Sequence, residues 1–461
     1  MENLIFSLIS ILMFLWLVKL FNFSSIVFFL EEKYINIYFI LSIISLIYFS
    51  FLLWSWNYLD SSFSNNFRIL LISFSVLGYF TLSFVLKDYR LDVIFLYFCV
   101  LMGSILVIWS YNLFVIYLGL ELQTFSIFLL ISKNKWFLKG SEASLKYFIL
   151  SALSSGFYLL GLNLLYNIGF SLNVDEVFYV NFLDLKTLFS LIIIFFSMFF
   201  KLGLFPFQFW LADIYEGSDW EIIGLISILP KISTLSVIFK LLSFVNLILL
   251  IGLFSIIIGT FSAINQTKIK RLLAYSSIGH MGFILVIMGL NLQNSFEVVY
   301  VYWLIYMFGF LGIIILSSFT FFSEDYKILD LIGLYNTNKI KAITWSLLLI
   351  SISGIPPLSG FISKWFVLTN FISMENNFLA LICLIFSIIS AGYYLRIVQM
   401  IFFHPKPSYL VFKNLLLLES NNNFYNISLS FLGFFLFFSL SLIFNPNPWF
   451  LLFFNCVNFY N

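Results

Sequence analysis

The sequence predicts an all-α polytopic membrane protein of about fourteen transmembrane helices, and three observations carry that reading. Of 461 residues, 62% are hydrophobic and only 10% are charged, against roughly a quarter charged in an ordinary soluble domain. Apolar runs of about 20 residues recur along the chain between short polar stretches, each long enough to cross a bilayer as a helix. The alternating segments of about 10 residues that mark a membrane β-barrel are missing.

The predicted spans lie near 4–21, 34–56, 67–86, 92–109, 112–132, 144–167, 186–209, 220–243, 245–264, 271–290, 296–320, 341–370, 377–402 and 427–454. Apolar character continues past the first span to Phe29, and Asn445-Pro446-Asn447-Pro448 interrupts the last. Loop charges set the orientation. Exits of odd-numbered spans carry Lys87 and Arg90, then Lys133, Lys135 and Lys139, then Lys268, Lys270 and Arg271. Lys327, Lys339 and Lys341 follow span eleven, and Lys406 and Lys413 follow span thirteen. Even exits carry little beyond Arg68, Lys186 and the acidic Asp175, Glu176 and Asp184. The positive-inside rule therefore puts the odd exits on the synthesis side and both termini on the other face.

Two spans are interrupted. The seventh contains Lys201-Leu202-Gly203-Leu204-Phe205-Pro206, and the twelfth contains Gly354-Ile355-Pro356-Pro357-Leu358-Ser359-Gly360. Proline removes a backbone donor and clashes with the preceding turn, so Pro206, Pro356 and Pro357 mark helix breaks. Carbonyls freed in lipid need partners from neighbouring helices or water, so such breaks line buried cavities. Paired broken helices in two halves of a chain point to inverted repeats around a translocation site. Spans seven and twelve run in opposite directions, as inversion requires.

Charges inside the spans are the second anomaly. Glu121 stands mid-span in Leu118-Gly119-Leu120-Glu121-Leu122-Gln123, and Lys201, Lys231 and Lys364 lie deep in apolar segments. Lys146 is shallower, near the start of span six. Each charge at the bilayer centre costs about 3 kcal/mol on insertion scales, so such residues face the bundle interior and serve a function. The competing readings are a static ion pair or a lysine snorkelling to the interface. Desolvation lowers a lysine's proton affinity and a nearby carboxylate restores it, so a row of these groups bridged by water suits a proton relay. His280, in Ser276-Ser277-Ile278-Gly279-His280, reads equally as a packed histidine or as a relay member. Lys240 reads as a snorkelling helix-end residue. Asp213 and Glu216 are expected in a loop after the first break, solvated or capping a helix.

Other chemistry is poorly supported. A net charge of +2 gives no basic patch for nucleic acid. Cys99, Cys383 and Cys456 are far apart and fit neither a metal site nor a disulfide framework. His280 and His404 are too few for paired haem ligation, so no redox centre is expected in this chain. The start, Met1-Glu2-Asn3 followed by an apolar run, lacks the look of an imported precursor, and the 63 phenylalanines suggest an AT-rich genome.

At these residues the chain resembles the antiporter-like subunits of respiratory complex I, the proton-pumping NADH:ubiquinone oxidoreductase, specifically the subunit 2 family in its fourteen-helix form. The resemblance rests on Leu118-Gly119-Leu120-Glu121-Leu122 and on the run from Ser141-Glu142-Ala143-Ser144-Leu145-Lys146 to Tyr147-Phe148-Ile149-Leu150-Ser151-Ala152. It rests also on Lys201-Leu202-Gly203 before Pro206-Phe207, on Gln266 to Ile278 through Ala274-Tyr275-Ser276-Ser277, and on Gly354 to Lys364. By position, Glu121 is similar to the family's glutamate on helix five and Lys201 to its partner lysine on broken helix seven. Lys231 is similar to the connecting lysine on helix eight, and Lys364 to the lysine on broken helix twelve. Two departures stand out. Gln208 replaces the usual histidine after Pro-Phe, and Gly217-Ser218-Asp219-Trp220 replaces the usual Gly-Ala-Pro.

The resemblance implies an N-terminal three-helix segment over 1–90 and inverted five-helix repeats over 91–243 and 244–402. A C-terminal loop and helix would occupy 403–461. It implies a mitochondrially encoded, multi-pass protein of the mitochondrial inner membrane. Expected partners are the other membrane-arm subunits, including antiporter-like subunit 4 and the small membrane subunits, together with lipids, protons and internal waters. Flavin, iron–sulfur clusters and the quinone site would belong to other subunits. The rival readings are a cation/proton antiporter subunit of the multi-subunit exchanger type and a purely structural membrane subunit.

Overall fold

The computed structural model describes residues 91–133, 137–169, 172–174, 185–241, 245–290, 295–320, 327–356 and 358–404, all within one compact unit, Asp60–Asn461. Predicted spans one to three, span fourteen and Pro357 lie outside the described residues. Those described form α1 (Leu91–Trp109), α2 (Leu113–Ile131), α3 (Leu138–Asn167), α4 (Leu185–Leu202), α5 (Phe209–Gly217), α6 (Trp220–Lys240) and α7 (Val245–Ile264). The chain continues through α8 (Ile269–Met288), α9 (Ser295–Thr320), the short α10 (Leu334–Thr337), α11 (Lys339–Ser353), α12 (Ser359–Ser373) and α13 (Asn377–Phe403). Among the described residues, eight helices are long and apolar enough to cross a membrane: α2, α3, α4, α6, α7, α8, α9 and α13. Predicted spans four to thirteen each find a helix; span seven ends early as α4, with the short α5 beginning at its predicted end, and span twelve is divided into α11 and α12.

Burial sorts these helices. The membrane-length stretches of α6, α8 and α9 are 94%, 89% and 100% buried, whereas those of α3 and α13 are only 33% and 28% buried. A helix buried on every side sits at the centre of its bundle, so α6, α8 and α9 form the axis. The outer faces of α3 and α13 present Leu145, Ile149, Leu153, Leu381 and Ile388, side chains suited to lipid or to another apolar surface.

Helices pair closely where glycine removes the side chain. A Cβ on Gly103 of α1 would stand 2.8 Å from the Gly119 carbonyl of α2, and one on Gly119 would stand 3.0 Å from the Gly103 carbonyl. In the same reciprocal way, a Cβ on Gly252 of α7 would meet the Gly282 carbonyl of α8 at 3.1 Å, and one on Gly282 the Gly252 carbonyl at 2.8 Å. Small residues drive association in lipid by letting backbones approach. Two isolated antiparallel bridges tie the helix ends: Asn112, just before α2, pairs with Asn173 beyond α3, and Lys268, just before α8, pairs with Lys327 beyond α9. Asn112 also caps α2, its side chain accepting from the Phe114 amide at 2.9 Å, which satisfies one of the helix's orphan donors.

Candidate functional site

The two breaks share a local cause. α4 ends at Leu202 and Gly203 follows at φ +70; α11 ends at Ser353 and Gly354 follows at φ +76. A glycine in the left-handed region ends a helix without the strain other residues would suffer, and Pro206 and Pro356 then prevent the turn from resuming as helix. Each break brings a lysine to a helix end inside the bundle: Lys201 in the last turn of α4 and Lys364 in the second turn of α12.

At the first break, Lys201 Nζ is buried without a hydrogen-bond partner among the described residues. Glu121 on α2 lies close enough for its charge to act on Lys201, yet its Oε1 is likewise buried and unbonded, while Oε2 takes a long 3.5 Å bond from Thr124. The pair therefore interacts through space without closing as an ion pair. Lys201 lines a small, partly open cleft whose other walls include Gln123, Thr124, Ser154, Pro230 and Thr234. Gln123 accepts from Ser233 of α6 at 3.1 Å, so the cleft reaches from α2 and α4 to the helix carrying Lys231.

Lys231 is only 2% exposed and its Nζ has no hydrogen-bond partner among the described residues. Pro230 precedes it inside α6. Lacking an N–H, Pro230 frees the carbonyl one turn earlier, while its own carbonyl accepts from Ser233 at 2.9 Å and from Thr234 at 2.8 Å. The backbone around Lys231 is thus unusually polar for a central helix. Sequence reasoning missed Pro230, because a single proline within a continuing apolar run reads as packing. Its position directly before the lysine was the available signal.

An aromatic bridge joins Lys231 to Lys364. Lys231 Nζ sits 6.0 Å from the centroid of Tyr306, whose ring lies 5.2 Å from that of His280. His280 Nδ1 shares a 2.9 Å hydrogen bond with Tyr302, Tyr302 stacks on Phe283 at 6.1 Å, and Lys364 Nζ lies 5.7 Å from the Phe283 centroid. His280 is buried within electrostatic reach of both lysines. It is packed and hydrogen-bonded, and it stands between the two lysines. Lys364 itself donates to the Ser353 carbonyl at 2.6 Å and to Ser390 Oγ at 2.9 Å.

The remaining lysines stand elsewhere. Lys146 points away from the cleft, pairing with Glu142 at 2.7 Å and with Asp213 at 2.9 Å. Asp213 and Glu216 are not in a loop; the chain resumes as α5, which carries both into ion pairs. Asp213 also meets Arg271 at 2.6 Å, and Glu216 meets Arg271 at 2.5 Å, Lys139 at 3.8 Å and Lys268. Residues near the exits of spans five, seven and nine thus meet at one end of the bundle. Partial burial pushes the Glu216 carboxyl up, but the Lys268 hydrogen bond and the charges of Arg271, Lys268 and Lys139 outweigh it and hold the group below its ordinary value. Lys240, read as a snorkelling residue, instead donates to the carbonyls of Val107, Ile108 and Ser110 at 2.9, 2.8 and 2.7 Å, closing the end of α1. Among the described residues, no three His, Cys, Asp or Glu side chains gather closely enough to hold a metal.

Buried lysines stand at two helix breaks and on one of the axial helices, in a fold matching that of antiporter-like membrane subunits. The family model described as NADH:quinone oxidoreductase/Mrp antiporter, TM, matches residues 110–390, and the chain belongs to that family. NADH-quinone oxidoreductase subunit N of Bartonella bacilliformis is 36% identical over 340 residues, covering 68% of this chain and 69% of its own length. NADH-ubiquinone oxidoreductase chain 2 of Metridium senile is 33% identical over 325 residues, covering 68% of this chain and 83% of its own. In fold, the chain is similar to one in respiratory complex I from Thermus thermophilus, with TM-score 0.67 and 23% identity over 82% of this chain and 85% of that one. It is similar also to a chain of the Mrp complex from Dietzia sp. DQ12-45-1b, with TM-score 0.74 and 16% identity over 85% and 84%.

Proposed function

We propose that this chain is an antiporter-like core membrane subunit of respiratory complex I, moving protons through Glu121, Lys201, Lys231 and Lys364 with water bridging the gaps. NADH oxidation and ubiquinone reduction would take place elsewhere in the complex, on flavin, iron–sulfur and quinone sites in other subunits. The observation that carries this reading is the series from Lys201, through a cleft that reaches Pro230 and Thr234 beside Lys231 in α6, and from Lys231 across the His280 aromatics to Lys364. Glu121 acting on Lys201 without an ion-pair contact is the arrangement a switchable proton carrier needs, since a closed pair would fix the charge. Lys201→Met in the assembled complex tests it: electron transfer should persist while proton pumping falls. Unchanged pumping alongside normal electron transfer would overturn the assignment.

Paired local features support two inverted five-helix repeats, α1–α6 and α7–α13. In each half a glycine-matched pair of helices leads, the fourth span is broken after a left-handed glycine, and a bridge links the start of the second helix to the segment beyond the third. By alternation of spans, the Asn112–Asn173 and Lys268–Lys327 bridges fall on opposite faces, as inversion demands. The fourteen-span count, a mitochondrial inner-membrane location, and contact with subunit 4 and the small membrane subunits belong to the same proposal. Of these, the mitochondrial location is supported by the Metridium senile relative and by the phenylalanine-rich composition. The likeness to the Mrp chain, at 16% identity, is one of fold alone; a purified complex without flavin and iron–sulfur proteins would favour the exchanger reading.

A further inference from the structure

The short helix α5 is fastened at three levels. At its start, Trp210 Nε1 donates at 3.2 Å to the carbonyl of Phe200, the residue immediately before Lys201. The Trp210 ring lies against Phe200 at 6.0 Å and against Tyr147 of α3 at 5.9 Å. Three residues further on, Asp213 stands between Lys146 of α3 and Arg271 of α8, at 2.9 and 2.6 Å. At the far end Gly217 packs so closely on α3 that a Cβ there would stand 2.5 Å from the Lys139 carbonyl. α5 is thus a single piece of helix with one end on the Lys201 turn and the other gripped by α3 and α8. Arg271 shares α8 with His280, nine residues or about two and a half turns away.

We propose that α5 is a positioning lever, in which Trp210 holds the Lys201 turn and Asp213 ties it to α8, so that displacement of α8 is delivered to Lys201. Trp210 and Asp213 are positioning residues: Asp213 is paired outside the cleft, and Trp210 acts through the Phe200 carbonyl. Glu216 also reaches both helices, through Lys139 and Arg271, but Asp213 holds α3 by the closer contact, 2.9 Å to Lys146 against 3.8 Å from Glu216 to Lys139. The consequence is a mechanical link between the half of the bundle holding Lys201 and the half holding His280 and Lys364. The lever deepens the proton-transfer reading and rests on it for its effect on pumping, though its mechanical part can be read separately.

The test uses Trp210→Phe, Asp213→Asn, their double variant and Asp213→Glu in the assembled complex within its own membrane. Protons moved per electron are measured with hydrogen exchange of the Phe200–Leu204 amides. Trp210→Phe keeps the ring and removes one donor; Asp213→Asn keeps the size and removes the charge. Each single variant should lower the proton-to-electron ratio while leaving electron transfer, and should speed exchange at Phe200–Leu204 by about two- to thirtyfold, the span of coupling through packed networks. The double variant should be no worse than the more severe single one, since both cut the same link, and Asp213→Glu should restore most of the ratio. Effects of the two changes that multiply, or exchange that stays at the parent rate, would overturn the lever. If Asp213→Asn fails to assemble, Arg271→Lys replaces it, with the same outcomes deciding. Faster exchange with unchanged pumping, when Lys201→Met also pumps normally, would remove the proton-transfer reading and leave the lever standing.

Discussion

Lys364 of α12 donates to the carbonyl of Ser353, the last residue of α11, across 2.6 Å. The cation of one half of the broken span is therefore the cap of the other half. A positive group at a helix C-terminus meets the negative end of the macrodipole and an orphan carbonyl together, which lets a lysine stay deep in the bundle without a carboxylate. Lys364→Met should lose both services. Proton pumping should fall with electron transfer retained, and thermal unfolding of the complex should show a loss of about 1.5–3 kcal/mol, the usual worth of a hydrogen bond to a charged group.

Lys240 offers the contrasting case. Its ammonium is held by three carbonyls at the end of α1, away from the Lys201 cleft. Lys240→Met should destabilise the subunit by a comparable 1.5–3 kcal/mol, measured as reduced assembly or melting temperature. Protons pumped per electron by the complex that does assemble should match the parent.

The matched glycines of α1 and α2 give a packing prediction. A Cβ on Gly119 would stand 2.7 Å from Val107 Cγ2 and 3.0 Å from the Gly103 carbonyl. Overpacking of that kind costs about 1–3 kcal/mol. Gly119→Val should therefore lower the amount of assembled complex, and its helix should move Glu121, two residues on, enough to weaken pumping in what remains.

The ion pairs around Glu216 set a pH range. A carboxyl held below its ordinary value contributes stability that is present above the unfolded-state value, about 4.3 for glutamate, and that is lost as pH falls through the lower folded-state value. The cluster should thus leave melting temperature level through neutral pH and add a decline only in the acid range below about pH 4. Glu216→Gln should lower the neutral plateau and flatten that acid decline, as read by melting temperature against pH.

Much of this was legible in the residues. The breaks are written in Gly203 and Pro206 and in Gly354 and Pro356, because glycine and proline act on their own backbone. The deep lysines are conspicuous because an apolar segment makes any charge costly. Partners at long range were not legible. Nothing in the sequence says that Asp213 will meet Lys146 and Arg271, 67 and 58 residues away, and a short helix after a proline turn looks like a loop when its length is only nine residues. Lys240 and Lys231 stand nine positions apart in the same helix, on residue type indistinguishable. Only the surroundings separate the lysine that caps α1 from the one buried in the bundle.

Gly354 and Lys364 carry a last implication. A Cβ on Gly354 would stand 2.7 Å from Lys364 Cδ, so the lysine's stem lies in the room left by the missing side chain. The two positions constrain one another as a lock and its bolt do. Descendants of this chain could exchange Lys364 for a shorter ionisable group while keeping the glycine, but enlarging Gly354 first would push the lysine's stem from its present place. Change at this break should therefore run in one order, the charge first and the turn afterwards.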